Sequence, residues 1–151
     1  MQAVYWSGYT DNCGNPLVIG SNYMMNVTSR PPANTFWSLT LYNASDYFLI
    51  NTTRNVYTLG SQFPDLVLND SGGAVLYLSQ DQPSGGIPES NWLPLGVQGT
   101  LGDLEFYGIF RIYSPTSGDV VNTYVPAAIV LTDENFVPIA CPDSGPVVTQ
   151  M

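Results

Sequence analysis

Residues 35–42 carry the clearest pattern in the chain. Trp37, Leu39 and Leu41 alternate with Phe36, Ser38, Thr40 and Tyr42. A period of two puts these sets on opposite faces of a β-strand, whereas a helix would need apolar positions every 3.6 residues. Shorter β-branched, aromatic and aliphatic runs predict further strands over 47–50, 56–59, 65–68, 74–79, 104–113, 124–132 and 136–140. Asn69-Asp70-Ser71-Gly72-Gly73 separates two of these runs with residues that accept positive φ, which predicts a hairpin. Residues 80–94, with Pro83, Pro88, Pro94 and Gly85-Gly86, predict a long loop with one helical turn near Glu89-Ser90-Asn91-Trp92. Gly108 inside a long strand predicts a bulge or a close approach. No stretch reads as a long amphipathic helix, no repeat of fixed period is visible, and no composition break divides the chain. The expectation is one all-β domain over residues 1–151, a sandwich or barrel.

Composition changes this picture in two ways. A chain of 151 residues suits one ordinary domain with a core that needs no staple. Charged residues are only 10% of it, far below the usual ~25%, so the surface must be built from neutral polar side chains. That composition favours an extracytoplasmic or secreted location, although Met1 to Trp6 has neither a basic nor an apolar signal-peptide region. Asn26, Asn43, Asn51 and Asn69 each open an Asn-x-Ser/Thr sequon. Cys13 and Cys141 lie near opposite ends of the chain. They either join in a disulfide closing nearly the whole domain or stay as two buried thiols, and spacing alone does not choose.

Lysine and histidine are absent, and Arg30, Arg54 and Arg111 stand against twelve carboxylates for a net charge of −9. Such a surface repels phosphate backbones and anionic membranes, which excludes nucleic acid as a partner. No apolar run reaches the ~18 residues of a membrane-spanning helix. Without histidine there is no Ser-His-Asp or Cys-His site, and without lysine no Schiff base. Two distant cysteines make no zinc site, Ser84-Gly85-Gly86 lacks the rest of a phosphate loop, and no cofactor is expected. Asp11-Asn12-Cys13-Gly14-Asn15 reads as a turn; it lacks the spaced acids of a calcium loop.

Further along, the residues resemble a known family. Ala3-x-Tyr5, Asp11, Gly14, Pro16-Leu17, Gly20 and Asn22-Tyr23 look like its opening block, and Phe36-Trp37-Ser38-Leu39-Thr40-Leu41-Tyr42 like its most distinctive string. Asn91-Trp92-Leu93-Pro94, and Phe106 with Arg111-Ile112-Tyr113, resemble two later signatures. The family is the domain of unknown function numbered 1214, and the resemblance spans about residues 3 to 129, leaving 130–151 as a C-terminal extension. It implies a jelly-roll-like antiparallel β-sandwich. It also implies an N-terminal partner half of unknown-function family 1254, which this chain lacks, and no settled reaction. Val56 stands where the family tends to place an arginine before the tyrosine, with Arg54 two residues earlier, and Leu95-Gly96 replaces a small residue and proline.

The candidate chemistry is therefore sparse. Arg111 sits among Phe106, Tyr107, Ile109, Phe110 and Ile112, so it is expected to be half-buried against a carboxylate or carbonyls, or to anchor an anionic or carbohydrate ligand. Arg54, Trp92 and Tyr113 complete the candidate ligand-binding set, Trp92 as an aromatic platform in its loop. Asp103 and Glu105, two apart on an expected strand, are the one close pair that could run carboxylate-dependent hydrolysis of carbohydrate. Three functions remain: a non-catalytic module binding a partner domain, glycan or small ligand; a carbohydrate hydrolase; or a structural shell or surface subunit, with a homo-oligomer among its partners.

Overall fold

The computed structural model describes residues 2–52, 54–97 and 102–141. Among the described residues eight strands form two four-stranded sheets: β1 (Ala3–Gly8), β2 (Asn22–Val27), β3 (Ala33–Asn43), β4 (Thr58–Gly60), β5 (Ala74–Ser79), β6 (Trp92–Pro94), β7 (Phe106–Pro115) and β8 (Ile129–Thr132). The first sheet has the order β1-β7-β3-β4 and the second β6-β5-β2-β8. All pairings are antiparallel except β5 with β6. A 3-10 turn (Glu89–Asn91) precedes β6, and a four-residue helix, α1 (Val120–Thr123), follows β7. The protein is an all-β sandwich, as the strand pattern predicts.

Alternation builds the core. Trp37, Leu39 and Leu41 of β3 point inward, as do Phe106, Phe110 and Ile112 of β7, Tyr23, Met25 and Val27 of β2, and Leu76 and Leu78 of β5; all are buried. Trp37 stacks on Phe110 at 5.7 Å between centroids, and Tyr23 meets Phe106 edge-on at 5.6 Å. Gly108 also faces inward. A Cβ there would lie 3.2 Å from Leu39 and 3.4 Å from Ile129, so its glycine leaves room for side chains from both sheets. The register runs unbroken through Gly108, and the irregularity in this pair falls between Ala33 and Phe36.

Three expected strands do not form. Residues 65–68 are loop, because both edges of β5 are already occupied, one by β2 and the other by β6. The Asn69 turn exists without making a hairpin: Asn69 Oδ1 accepts from the Ser71 and Gly73 amides, and Gly72 has φ 80°. Buried Asn91 replaces the missing ladder, accepting from Val67 N–H and donating to the Val67 and Val75 carbonyls. Residues 47–50 make one bridge, Leu49 to Tyr42, after Tyr47 turns the chain at φ 64°. Residues 136–140 likewise make one bridge, beyond a turn in which Asp133 Oδ1 accepts the Asn135 and Val137 amides. The expected strand over 124–132 shortens to β8. In the other direction, β1 and β2 are strands that periodicity alone did not mark.

Cys13 and Cys141 form a disulfide across 128 residues of chain. It fastens the β1–β2 connection to the segment after β8. Asn12 ties the same connection to β8, its backbone amide donating to the Ile129 carbonyl at 3.0 Å. The turn around Cys13 is held by Asp11 Oδ1, which accepts the Cys13 and Asn15 amides at 2.8 and 3.0 Å, with Gly14 at φ 85°.

Candidate functional site

With Phe106, Phe110 and Ile112 committed to the core, β7 presents Tyr107, Ile109, Arg111 and Tyr113 on the outer face of the first sheet. Register decides their neighbours. Arg111 lies between Tyr5 of β1 and Ser38 of β3, Tyr113 between Ala3 and Phe36, and Tyr107 opposite Tyr42. On the next strand Thr58 is opposite Thr40, and Gly60 opposite Ser38. The turn after β4 brings Phe63 and Pro64 up beside this face. It is held by Ser61, whose Oγ accepts from Trp37 N–H at 3.0 Å and whose amide donates to the Trp37 carbonyl at 3.1 Å. Glycine is required at position 60 because a Cβ would run into the Trp37 carbonyl oxygen and lie 2.8 Å from Ser38 Cα.

The result is an open groove of about 350 Å³, with Arg111, Ser38, Thr40 and Thr58 along its floor and Phe36, Tyr113, Phe63 and Pro64 at its sides. Phe36 and Tyr113 stack at 4.1 Å. Thr58 Oγ1 donates to the Leu39 carbonyl and accepts from Thr40 Oγ1, both at 3.0 Å. Both hydroxyl protons are thereby committed, so these oxygens meet a ligand as acceptors. Arg111 Nη2–H donates to Tyr42 Oη at 3.0 Å, and its guanidinium lies 5.9 Å from the Tyr42 ring centre. No described residue gives Arg111 an ion pair. The expected carboxylate or carbonyl partner is thus replaced by a phenol, because none of the four strands of this sheet carries an acid. Beyond Tyr42 lies an aromatic cluster: Tyr107 stacks on Tyr9 at 4.8 Å and on Tyr42 at 5.3 Å, and meets Tyr47 edge-on. Burial first, then these neighbouring phenols, raise the Tyr107 pKa above its ordinary value, and Arg111 opposes the rise.

The other sequence candidates lie apart from this groove. Arg54 sits 4.9 Å above the Trp92 ring and pairs with Glu89 at 3.9 Å; its Nη1 is buried without a hydrogen-bond partner among the described residues. Trp92 is a strand residue and 6% exposed, with its indole N–H donating to the Ser79 carbonyl at 3.0 Å. Its ring is buried and covered by Arg54, so it offers no open platform. Both border a more polar depression of about 510 Å³ with Gln80, Asp81 and Gln82. Asp103 and Glu105 do not share a strand face. Asp103 is in a turn, Glu105 makes one bridge to Val18, β7 begins at Phe106, and both acids are exposed. They border a shallow depression with Asp46. Of the expected set, then, the fold brings together Arg111 and Tyr113, and separates both from Arg54, Trp92, Asp103 and Glu105. Phe36, Ser38, Thr40, Tyr42 and Thr58 were not singled out as site residues. Their signal was the outward half of the alternation in residues 35–42, which is unusually aromatic and hydroxylic for a solvent face.

Among the described residues no three His, Cys, Asp or Glu side chains gather as metal ligands, and no helix is long and apolar enough to cross a membrane.

Fold and groove together define a two-sheet β-sandwich with an aromatic, arginine-bearing outer face. The chain belongs to the family described as "Protein of unknown function (DUF1214)", whose pattern matches residues 2–117. No curated protein matches it. Among solved structures it is similar to the VPA0106 protein from Vibrio parahaemolyticus, with a TM-score of 0.71 and 22% identity over 87% of this chain. The match covers 31% of that protein's chain, so the present chain spans about a third of its length. At this identity the likeness is one of fold.

Proposed function

We propose that the domain is a non-catalytic binding module that takes a short saccharide in the groove on the outer face of its first sheet. The observation that carries the reading is the composition of that groove. In a chain of net charge −9, its lining contains an arginine, three aliphatic hydroxyls, a glutamine and aromatic walls, and no carboxylate among the described residues. Sugars are recognised by this combination: ring faces against aromatic side chains, and hydroxyls paired with a few fixed polar groups. The volume lies at the small end of the usual range for ligand sites, ~300–1,000 Å³, which fits one or two sugar rings rather than a long chain. The acids at positions 103 and 105, exposed and away from the groove, give the hydrolase reading no support. The Cys13–Cys141 bond supports an oxidising, extracytoplasmic setting.

The reading is tested by screening the purified chain against immobilised neutral and acidic saccharides, with Phe36→Ala and Tyr113→Ala as variants. Binding that falls at least tenfold in both, with circular dichroism unchanged, is expected. Binding that survives both substitutions would place the ligand elsewhere and refute the groove.

A further inference from the structure

The three arginines of this chain are used differently. Arg54 pairs with Glu89 and covers Trp92. Arg30 is exposed and donates to the nearby Ala33 carbonyl at 3.3 Å. Arg111 is half-buried, engages a neutral phenol through one N–H, and has no ion pair among the described residues. A guanidinium has five N–H donors in a planar fork that matches a carboxylate two at a time. Holding such a cation away from water without a counter-charge is costly, and that cost falls when a ligand supplies the charge. Beside it, the oxygens of Thr40 and Thr58 have no proton to give, so the floor pairs a cationic donor with neutral acceptors.

Resting on the saccharide reading, we infer that the sugar is a uronate. Its carboxylate forks onto Arg111, its ring hydroxyls donate to Thr40 and Thr58, and its ring packs against the Phe36–Tyr113 stack. The ligand is short and carries one or two charges. Twelve carboxylates elsewhere on the chain repel a long polyanion before it reaches the groove. A neutral sugar would leave the guanidinium without its counter-charge. A phosphate sugar would concentrate about two negative charges on one group against a single cation, whereas a diuronide carries one on each ring.

The test compares digalacturonic acid with its dimethyl ester by calorimetry on the whole chain at pH 7. The ester keeps the rings and hydroxyls and removes the charge. The acid is expected to bind at least about tenfold more tightly, as a charge-assisted bidentate pair does. The ratio should collapse toward one in Arg111→Met, shrink in Arg111→Lys, and survive in Arg30→Met, which removes the same net charge from a different surface. Thr58→Val should weaken acid and ester alike and leave their ratio intact, so it tests the floor even where Arg111→Met fails to fold. Equal binding of acid and ester, or a preference that persists in Arg111→Lys and Arg111→Met, would overturn the uronate inference while leaving a saccharide groove in place. Absence of binding by both would overturn the inference and the groove reading together.

Discussion

Breaking the Cys13–Cys141 bond is the perturbation whose magnitude follows most directly from the structure. The bond closes a loop of 128 residues, nearly the whole domain. In the chain-entropy treatment a loop of that length restricts the unfolded chain by about 5 kcal/mol at 25 °C. Few native contacts depend on the sulfurs: Cys141 is exposed and Cys13 only half-buried. The β1–β2 turn is held independently by Asp11, and Asn12 ties it to β8 through the Ile129 carbonyl. The folded state should therefore survive removal of the bond, and the loss should appear as easier unfolding. For a chain of this size, about 5 kcal/mol corresponds to a fall in Tm of about 10–20 °C. The assay is urea unfolding followed by tryptophan fluorescence, comparing the oxidised protein with the Cys13→Ser, Cys141→Ser double variant. The midpoint should fall, and the slope should rise because the unbridged chain exposes more surface. A loss below about 1 kcal/mol with an unchanged slope would refute the entropic argument.

Trp37 is 2% exposed and stacked on Phe110, so Trp37→Ala should cost about 3–5 kcal/mol in the same urea assay. Gly60→Ala should force β4 away from the Trp37 carbonyl and cost about 1–3 kcal/mol as overpacking does, with a visible loss of the β3–β4 amides' protection in hydrogen exchange. Burial raises the pKa of Tyr23, Tyr107 and Tyr124 in the fold. The unfolded chain releases these protons first, so their stabilisation is complete below the ordinary tyrosine value near 10 and is lost as pH climbs through the raised values. Melting temperatures measured from pH 8 to 12 should hold and then fall above about pH 10, more shallowly in Tyr124→Phe.

Much of the scaffold was legible because it depends on local alternation. Residues 36–42 carry seven alternating positions within the expected strand 35–42, and the structure extends that strand by only two residues at one end and one at the other. Residues 74–79 coincide with β5, bounded by a glycine-rich turn and a polar loop. What was misread depends on which edges were free. Residues 65–68 have the composition of a strand and stand beside a convincing turn, yet β6 occupies the edge they would need. Nothing local announces a three-residue parallel strand from a proline-rich loop. β1 was obscured because only part of each of its faces is apolar, with Tyr5 66% exposed. The site was half legible. Arg111 stood out as a cation in an apolar run, but its Tyr42 partner lies 69 residues away. Trp92 was attractive as a loop aromatic, and it is buried because the loop ends in a strand there. Asp103 and Glu105 lost only their shared strand face, because β7 begins at Phe106, and both still border one depression.

The central claim is that the outer face of the first sheet is the binding surface, and amide and arginine side-chain NMR shifts of the labelled chain during titration with digalacturonate test it most directly. The account expects saturable shifts confined to residues 36–42, 58–64 and 107–113, including the Arg111 Nε–H. Saturable shifts centred instead on Asp46, Asp103 and Glu105, or on Arg54 and Trp92, would contradict it, as would a spectrum unmoved at millimolar ligand.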